Sequence, residues 1–177
     1  MSANRAKNSI SIQDICITAL FAALSFTATY FVKVQVFPGN GGLVHFGNIP
    51  VVVAAVCFGR KQAAISGAVG MTLFDIVGGY FLWAPFTCVI RLAVGWIIGY
   101  FASKSGSRNA LWALLGIILG GLVLIAGYYL AEGIIYGNFT APALGIPGNS
   151  IQIASMAVVG LPIAYAIKGT GRVVRKR

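Results

Sequence analysis

Three ionisable side chains, Asp75, Arg91 and Glu132, fall well inside long apolar stretches of this sequence. A charge placed centrally in a bilayer costs roughly 2.5–3.5 kcal/mol on insertion scales, so three of them point to mutual pairing, a water-filled cavity or a ligand. Counted from the ends of their apolar runs at 1.5 Å per residue, all three lie at depths of roughly 8–12 Å below the same face. Gln152 enters that layer from the last run, with Asn149 just above it. Four successive helices thus bring their strongest polar group to one slab, which reads as the floor of a cavity. Above it lie Tyr80, Trp83 and Phe86, then Tyr128, Tyr129, Tyr136 and Phe139, rings suited to sandwiching a flat heterocycle. His45 and Asn48 are placed to close the pocket from the first outer loop.

A structural role competes with this one. Asp75 and Arg91 sit on consecutive antiparallel helices at similar depth, so they either neutralise each other as an ion pair or serve a ligand. Glu132 has no evident cation, which leaves it as a neutral acid or a ligand contact. The rings of Tyr30, Tyr100 and Trp112 fit an interfacial aromatic belt better than a pocket. Enzymatic chemistry is poorly supplied: the single histidine, the absence of a His-Glu-x-x-His or Gly-x-Ser-x-Gly motif, and the lack of an evident nucleophile argue against an enzyme. Cys16, Cys57 and Cys88 stand singly in separate apolar runs, with no metal-binding spacing, and read as small buried hydrophobes. No metal or cofactor is expected.

The elements that must hold these groups follow from composition. Of 177 residues, 58% are hydrophobic and 9% charged, which excludes an ordinary soluble domain. The 23 glycines weaken soluble helices but permit close helix contact in lipid. We read an all-α, integral membrane bundle of six transmembrane helices: 12–34, 49–58, 62–82, 85–102, 110–136 and 150–167. The second is short, and His45, Gly47 and Asn48 before it are compatible with a re-entrant or tilted segment. The first run is too long for a signal-peptide core and has no small-residue cleavage site after it, so it is expected to remain as a helix.

The net charge of +10 is distributed as a topology signal and not as a nucleic-acid patch. Arg5 and Lys7, Arg60 and Lys61, Lys104 and Arg108, and the cluster from Lys168 to Arg177 all fall on one side of a six-helix serpentine, with Lys33 opposite. Both N and C termini are therefore expected in the cytoplasm, on a single domain spanning 1–177 with short basic tails at 1–11 and 168–177. The opposite loops, at 37–42, 80–86 and 136–149, are rich in Gly, Pro, Asn and aromatics. Small residues recur at four-residue spacing, Ala19 with Ala23, Ala63 with Gly67, Gly95 with Gly99 and Gly116 with Gly120, which allows close helix approach.

Taken together, Ala19 to Ala23 in the first helix, the Gly-rich first loop, the run Val44-His45-Phe46-Gly47-Asn48-Ile49-Pro50, and Phe58-Gly59-Arg60-Lys61 resemble the S components of energy-coupling factor (ECF) vitamin transporters. So do Gly67, Gly70, Asp75, Gly78-Gly79-Tyr80 and Trp83-Ala84-Pro85-Phe86. The likeness covers most of the chain and is nearest to the hydroxymethylpyrimidine and pyridoxine branch. It implies a multi-pass cell-membrane protein that binds one vitamin or precursor in an outward-facing pocket formed by helices four to six with the first and fifth outer loops. It also implies a membrane scaffold (T) subunit and two cytoplasmic ATPase (A) subunits as partners, the scaffold meeting the small-residue face of Ala19 and Ala23, with Ala63 and Gly67 as further docking positions. The chain carries no phosphate-binding loop of its own, so energy must come from such a partner.

The expected substrate-binding set is His45, Asn48, Trp83, Phe86, Arg91, Tyr128, Glu132, Tyr136, Asn149 and Gln152, which suits a small hydroxylated nitrogen heterocycle such as pyridoxine or hydroxymethylpyrimidine. An Arg91 free of Asp75 favours a carboxylate such as pantothenate, and riboflavin and thiamine stay open. In a different class, a stand-alone ion-coupled carrier would use Asp75, Arg91 and Glu132 as a relay.

Overall fold

The computed structural model describes residues 11–35, 43–104 and 110–170. The tails, the tip of the first outer loop and the 105–109 connection lie outside these, and with them Arg5, Lys7, Arg108, Arg172, Arg175, Lys176 and Arg177.

Helix α1 (Ile12–Phe31) opens on a capping box, with the Ser11 hydroxyl accepting from the Asp14 N–H at 3.1 Å and the Asp14 carboxylate accepting from the Ser11 N–H at 3.3 Å. It ends three residues earlier than the apolar run suggests. The β-branched Val32 and Val34 favour extended backbone, and the chain enters a short antiparallel hairpin, β1 (Lys33–Gln35) with β2 (Leu43–His45), pairing Lys33 with His45 and Gln35 with Leu43.

Helix α2 (Asn48–Cys57) has ten residues, about 15 Å of rise against the ~30 Å of a bilayer core. Its residues from Val51 to Cys57 are all buried, as expected of a helix apolar on every side. The second span is thus half strand and half helix. Gly59, at φ 106°, makes the tight turn into α3 (Arg60–Val77). That helix stops five residues before the expected Leu82. Gly79 adopts φ 85° and the Tyr80 N–H bonds the Asp75 carbonyl at 2.7 Å, the long bond of a Schellman cap.

Helix α4 (Ala84–Lys104) follows, then α5 (Ala110–Tyr136), whose bounds match the sequence reading. The last span begins earlier than expected. A 3-10 turn (Ala141–Leu144), α6 (Gly145–Ser155), a π turn (Met156–Gly160) and α7 (Leu161–Gly169) run in series through what reads as an outer loop. Pro142 and Pro147 lie in first turns, where the missing N–H costs nothing.

α1, α4, α5 and the composite 141–169 segment are each long and apolar enough to cross a membrane. α3 packs between α1 and α4, α4 lies against α5, and α2 fills the centre against α3, α4 and α7. Close approach rests on small residues: a methyl at Gly95 would lie 2.5 Å from the Ala63 carbonyl, and one at Gly67 would lie 3.1 Å from Val51. Ala63 and Gly67 are buried in these internal contacts, so the structure corrects their assignment as partner-docking positions. Ala19 and Ala23 are exposed on α1.

Candidate functional site

The pocket lies in the half of the bundle that α2 leaves unfilled. It is lined by His45, Asp75, Tyr80, Trp83, Thr87, Arg91, Tyr128, Glu132, Asn149 and Gln152, with Thr29, Gln35, Leu43, Met71 and Phe74 completing the wall. About 90 Å³ is open to the centre of a water molecule. Trp83, Thr87 and Arg91 follow one another at four-residue spacing on α4 and so share a face.

Arg91 organises one side. It is 3% exposed, and its guanidinium donates from Nη1 to Asn48 Oδ1 at 2.6 Å, from Nε to the Tyr128 hydroxyl at 3.2 Å and from Nη2 to Gln152 Oε1 at 3.4 Å. Nη2 also stands 3.3 Å from His45 Nε2. Gln152 accepts from Asn48 Nδ2 at 2.9 Å and donates to the Leu43 carbonyl at 2.7 Å and to Asn149 at 3.3 Å. One network therefore ties the hairpin, α2, α4, α5 and α6 together.

His45 completes it from the hairpin. Its ring is buried beside the Arg91 guanidinium. Its Nδ1 accepts from the Gly47 N–H at 3.2 Å and lies 3.4 Å from the Thr29 hydroxyl, which donates onward to the Ser25 carbonyl at 2.7 Å.

The expected ion pair between Asp75 and Arg91 is not formed. Arg91 gives its N–H groups to neutral acceptors instead, while the Asp75 carboxyl takes a hydrogen bond from Thr87 and feels the guanidinium across a gap. Thr87 and Tyr128 hydroxyls lie 3.1 Å apart and link the two groups indirectly. Asp75 Oδ2 is buried with no hydrogen-bond partner among the described residues. Glu132 takes its hydrogen bond from Trp83. Two carboxyl groups thus face one cavity, and one of them has an acceptor to spare.

Aromatic rings form a ladder along the rim: Phe74 stacks on Tyr80 at 5.7 Å, Tyr80 meets Trp83 edge-on at 6.0 Å, and Trp83 meets Tyr136 at 6.0 Å. Tyr136 therefore backs Trp83 without lining the cavity. Asn48 likewise sits behind the wall and fixes Arg91 and Gln152. Phe86 is a correction: it falls off the Trp83–Thr87–Arg91 face and packs into the apolar core. Tyr129 and Phe139 pair outside the pocket at 6.1 Å. Sequence reasoning missed Thr29, Gln35, Leu43, Met71, Phe74 and Thr87. Thr87, one turn before Arg91 on the same face, was the one with a legible signal.

Fold and pocket together define a multi-pass membrane protein that encloses a small polar cavity near one face, walled by aromatics and roofed by a hairpin. Residues 9–169 match the family model described as ECF-type riboflavin transporter, S component, and the chain belongs to that family. It is a transport component of the cell membrane, the vitamin-binding partner of an energy-coupling module, and not an enzyme. Among relatives, it is 34% identical over 140 residues to an uncharacterized protein in a gap 3′ region from Pyrococcus woesei, covering 79% of this chain and 91% of the relative. It is 25% identical over 161 residues to the thiamine precursor transporter HmpT of Lactococcus lactis subsp. cremoris (strain MG1363), covering 91% of each.

Proposed function

We propose that the pocket captures a one-ring nitrogen heterocycle bearing hydroxymethyl or amino donors, hydroxymethylpyrimidine or pyridoxine, and that the chain delivers it inward with a T scaffold and two A ATPases. The observation that carries this reading is the pair of carboxyl groups, Asp75 and Glu132, on a cavity walled by aromatic rings, with Asp75 Oδ2 lacking a partner among the described residues. Such acceptors suit a ligand that donates hydrogen bonds, and the rings suit its flat face.

Size and charge support the same class. About 90 Å³ of centre-accessible space holds roughly six to nine waters, a fair match to a single substituted ring and a poor one to a three-ring flavin. Arg91 is free of Asp75, the condition that favours pantothenate, yet its N–H groups are already given to Tyr128, Asn48, Gln152 and His45. A ligand carboxylate would also face two carboxyl groups. The similarity to a thiamine precursor transporter adds support from outside the pocket. In this reading the chain is one six-helix domain, 1–177, with both basic tails, 1–11 and 168–177, on the cytoplasmic side.

Titration of the purified chain with a panel of B vitamins and precursors, followed by Trp83 fluorescence, tests the proposal. Hydroxymethylpyrimidine or pyridoxine is expected to bind well ahead of riboflavin, thiamine and pantothenate. Asp75→Asn and Glu132→Gln are each expected to weaken that binding about 10–150-fold, the worth of one hydrogen bond to a charged group. Binding of pantothenate first, or unchanged affinity in both variants, overturns it. Uptake by the chain in ATP-free vesicles under an ion gradient would support the ion-coupled carrier instead.

A further inference from the structure

Away from the vitamin pocket, α3 and α4 leave an apolar groove on the outer surface of the bundle, lined by Ala64, Leu92, Ala93, Trp96 and Ile97. It holds about 410 Å³ open to the centre of a water molecule. Ala64 forms a buried floor, while Leu92 and Trp96 stand 40% and 43% exposed as walls. No described residue fills it, although the rest of the α3/α4 contact is tight enough to exclude a methyl at Gly95.

One end of the groove is charged. The Arg60 guanidinium carbon lies over the Trp96 ring, 4.6 Å from its centroid. The guanidinium N–H groups make no hydrogen bond or ion pair with the described residues. Lys61 is exposed beside it at the start of α3. A slot with apolar walls and two cations at its mouth complements an amphiphile with an acyl chain and an anionic head. Arg60 and Lys61 also belong to the basic set that marks the cytoplasmic side, where anionic lipids concentrate.

We propose that the α3/α4 groove is a binding site for an anionic phospholipid, its acyl chain lying on Ala64, Ala93 and Ile97 and its phosphate on Arg60 and Lys61. The site is independent of the vitamin pocket, since Arg60 begins α3 and Asp75 lies in its last turn. It stands whichever vitamin is carried.

Native mass spectrometry of the full chain, released from detergent with added phosphatidylglycerol or phosphatidylcholine, reads the bound lipid directly. Wild-type protein is expected to retain phosphatidylglycerol in preference to phosphatidylcholine. Arg60→Gln and Lys61→Gln are each expected to lower that retention roughly fivefold, the effect of one basic residue at an anionic surface. Ala93→Leu, which fills the groove and leaves both charges in place, is expected to abolish the preference. Helical circular dichroism and gel-filtration profile verify that each variant is folded, and Lys168→Gln, on α7, is a distant-charge control expected to leave retention unchanged. Equal retention of the two lipids, unaltered retention in Ala93→Leu, or an equal loss in Lys168→Gln overturns the proposal. So does a photoreactive group at Leu92→Cys that captures the scaffold subunit and not lipid in the assembled transporter.

Discussion

Gln152 joins the hairpin to the helices, and replacing it tests whether the roof of the pocket is held as described. Gln152→Ala removes the donor to the Leu43 carbonyl at 2.7 Å and the acceptor for Asn48 Nδ2 at 2.9 Å, and leaves a buried amide without its partner. Two neutral hydrogen bonds at about 0.5–1.5 kcal/mol each, with about 1–3 kcal/mol for the orphaned group, overlap to give roughly 2–4 kcal/mol. Gln152→Glu separates the contributions. Its carboxylate still accepts from Asn48 and Arg91, but the oxygen that replaces the amide nitrogen faces the Leu43 carbonyl and Asn149 Oδ1, so the tether gives way to repulsion while the Arg91 contact gains charge. Unfolding in mixed micelles titrated with SDS measures both, and stopped-flow release of bound vitamin reports the hairpin itself. Release is expected to quicken in both variants. Stability of Gln152→Ala within about 0.5 kcal/mol of wild type, the range of an ordinary surface substitution, refutes the network. So does a Gln152→Glu variant with unchanged vitamin release.

Other consequences can be measured independently. Gly95→Leu is expected to separate α3 from α4 and cost about 3 kcal/mol or more, because even a methyl meets the Ala63 carbonyl at 2.5 Å; normal folding of that variant contradicts the packing. Ala19→Trp and Ala23→Trp, on exposed positions of α1, are expected to spare vitamin binding and abolish transport with the partner subunits, as read by radiolabelled uptake.

How far the sequence was legible depends on which kind of signal each region carries. The α5 bounds were readable because 27 residues of nearly unbroken apolar character leave no other choice. The layer of Asp75, Arg91, Glu132 and Gln152 was readable because a buried polar group in an apolar helix is conspicuous, and the pocket does bring all four together. The partnership of Asp75 and Arg91 was not: helical depth fixes the height of a side chain but not its azimuth, and Arg91 turns toward Asn48 and Gln152. Azimuth also misled the reading of Phe86. The hairpin was hidden by the apolar valines that continue α1, and the early start of the last span by glycines and prolines that act as helix-start residues there. Ala63 and Gly67 show the ambiguity of small-residue spacing, which reads alike whether the neighbouring helix belongs to the same chain or another.

The brevity of α2 has a consequence for how such a molecule diversifies. Where a full-length helix would have run, the outer half contains a two-stranded flap and an enclosed void, while the inner half is solid. Recutting the flap or the few side chains behind it changes the cargo and leaves the lower bundle, with its close-fitting glycines, as it was.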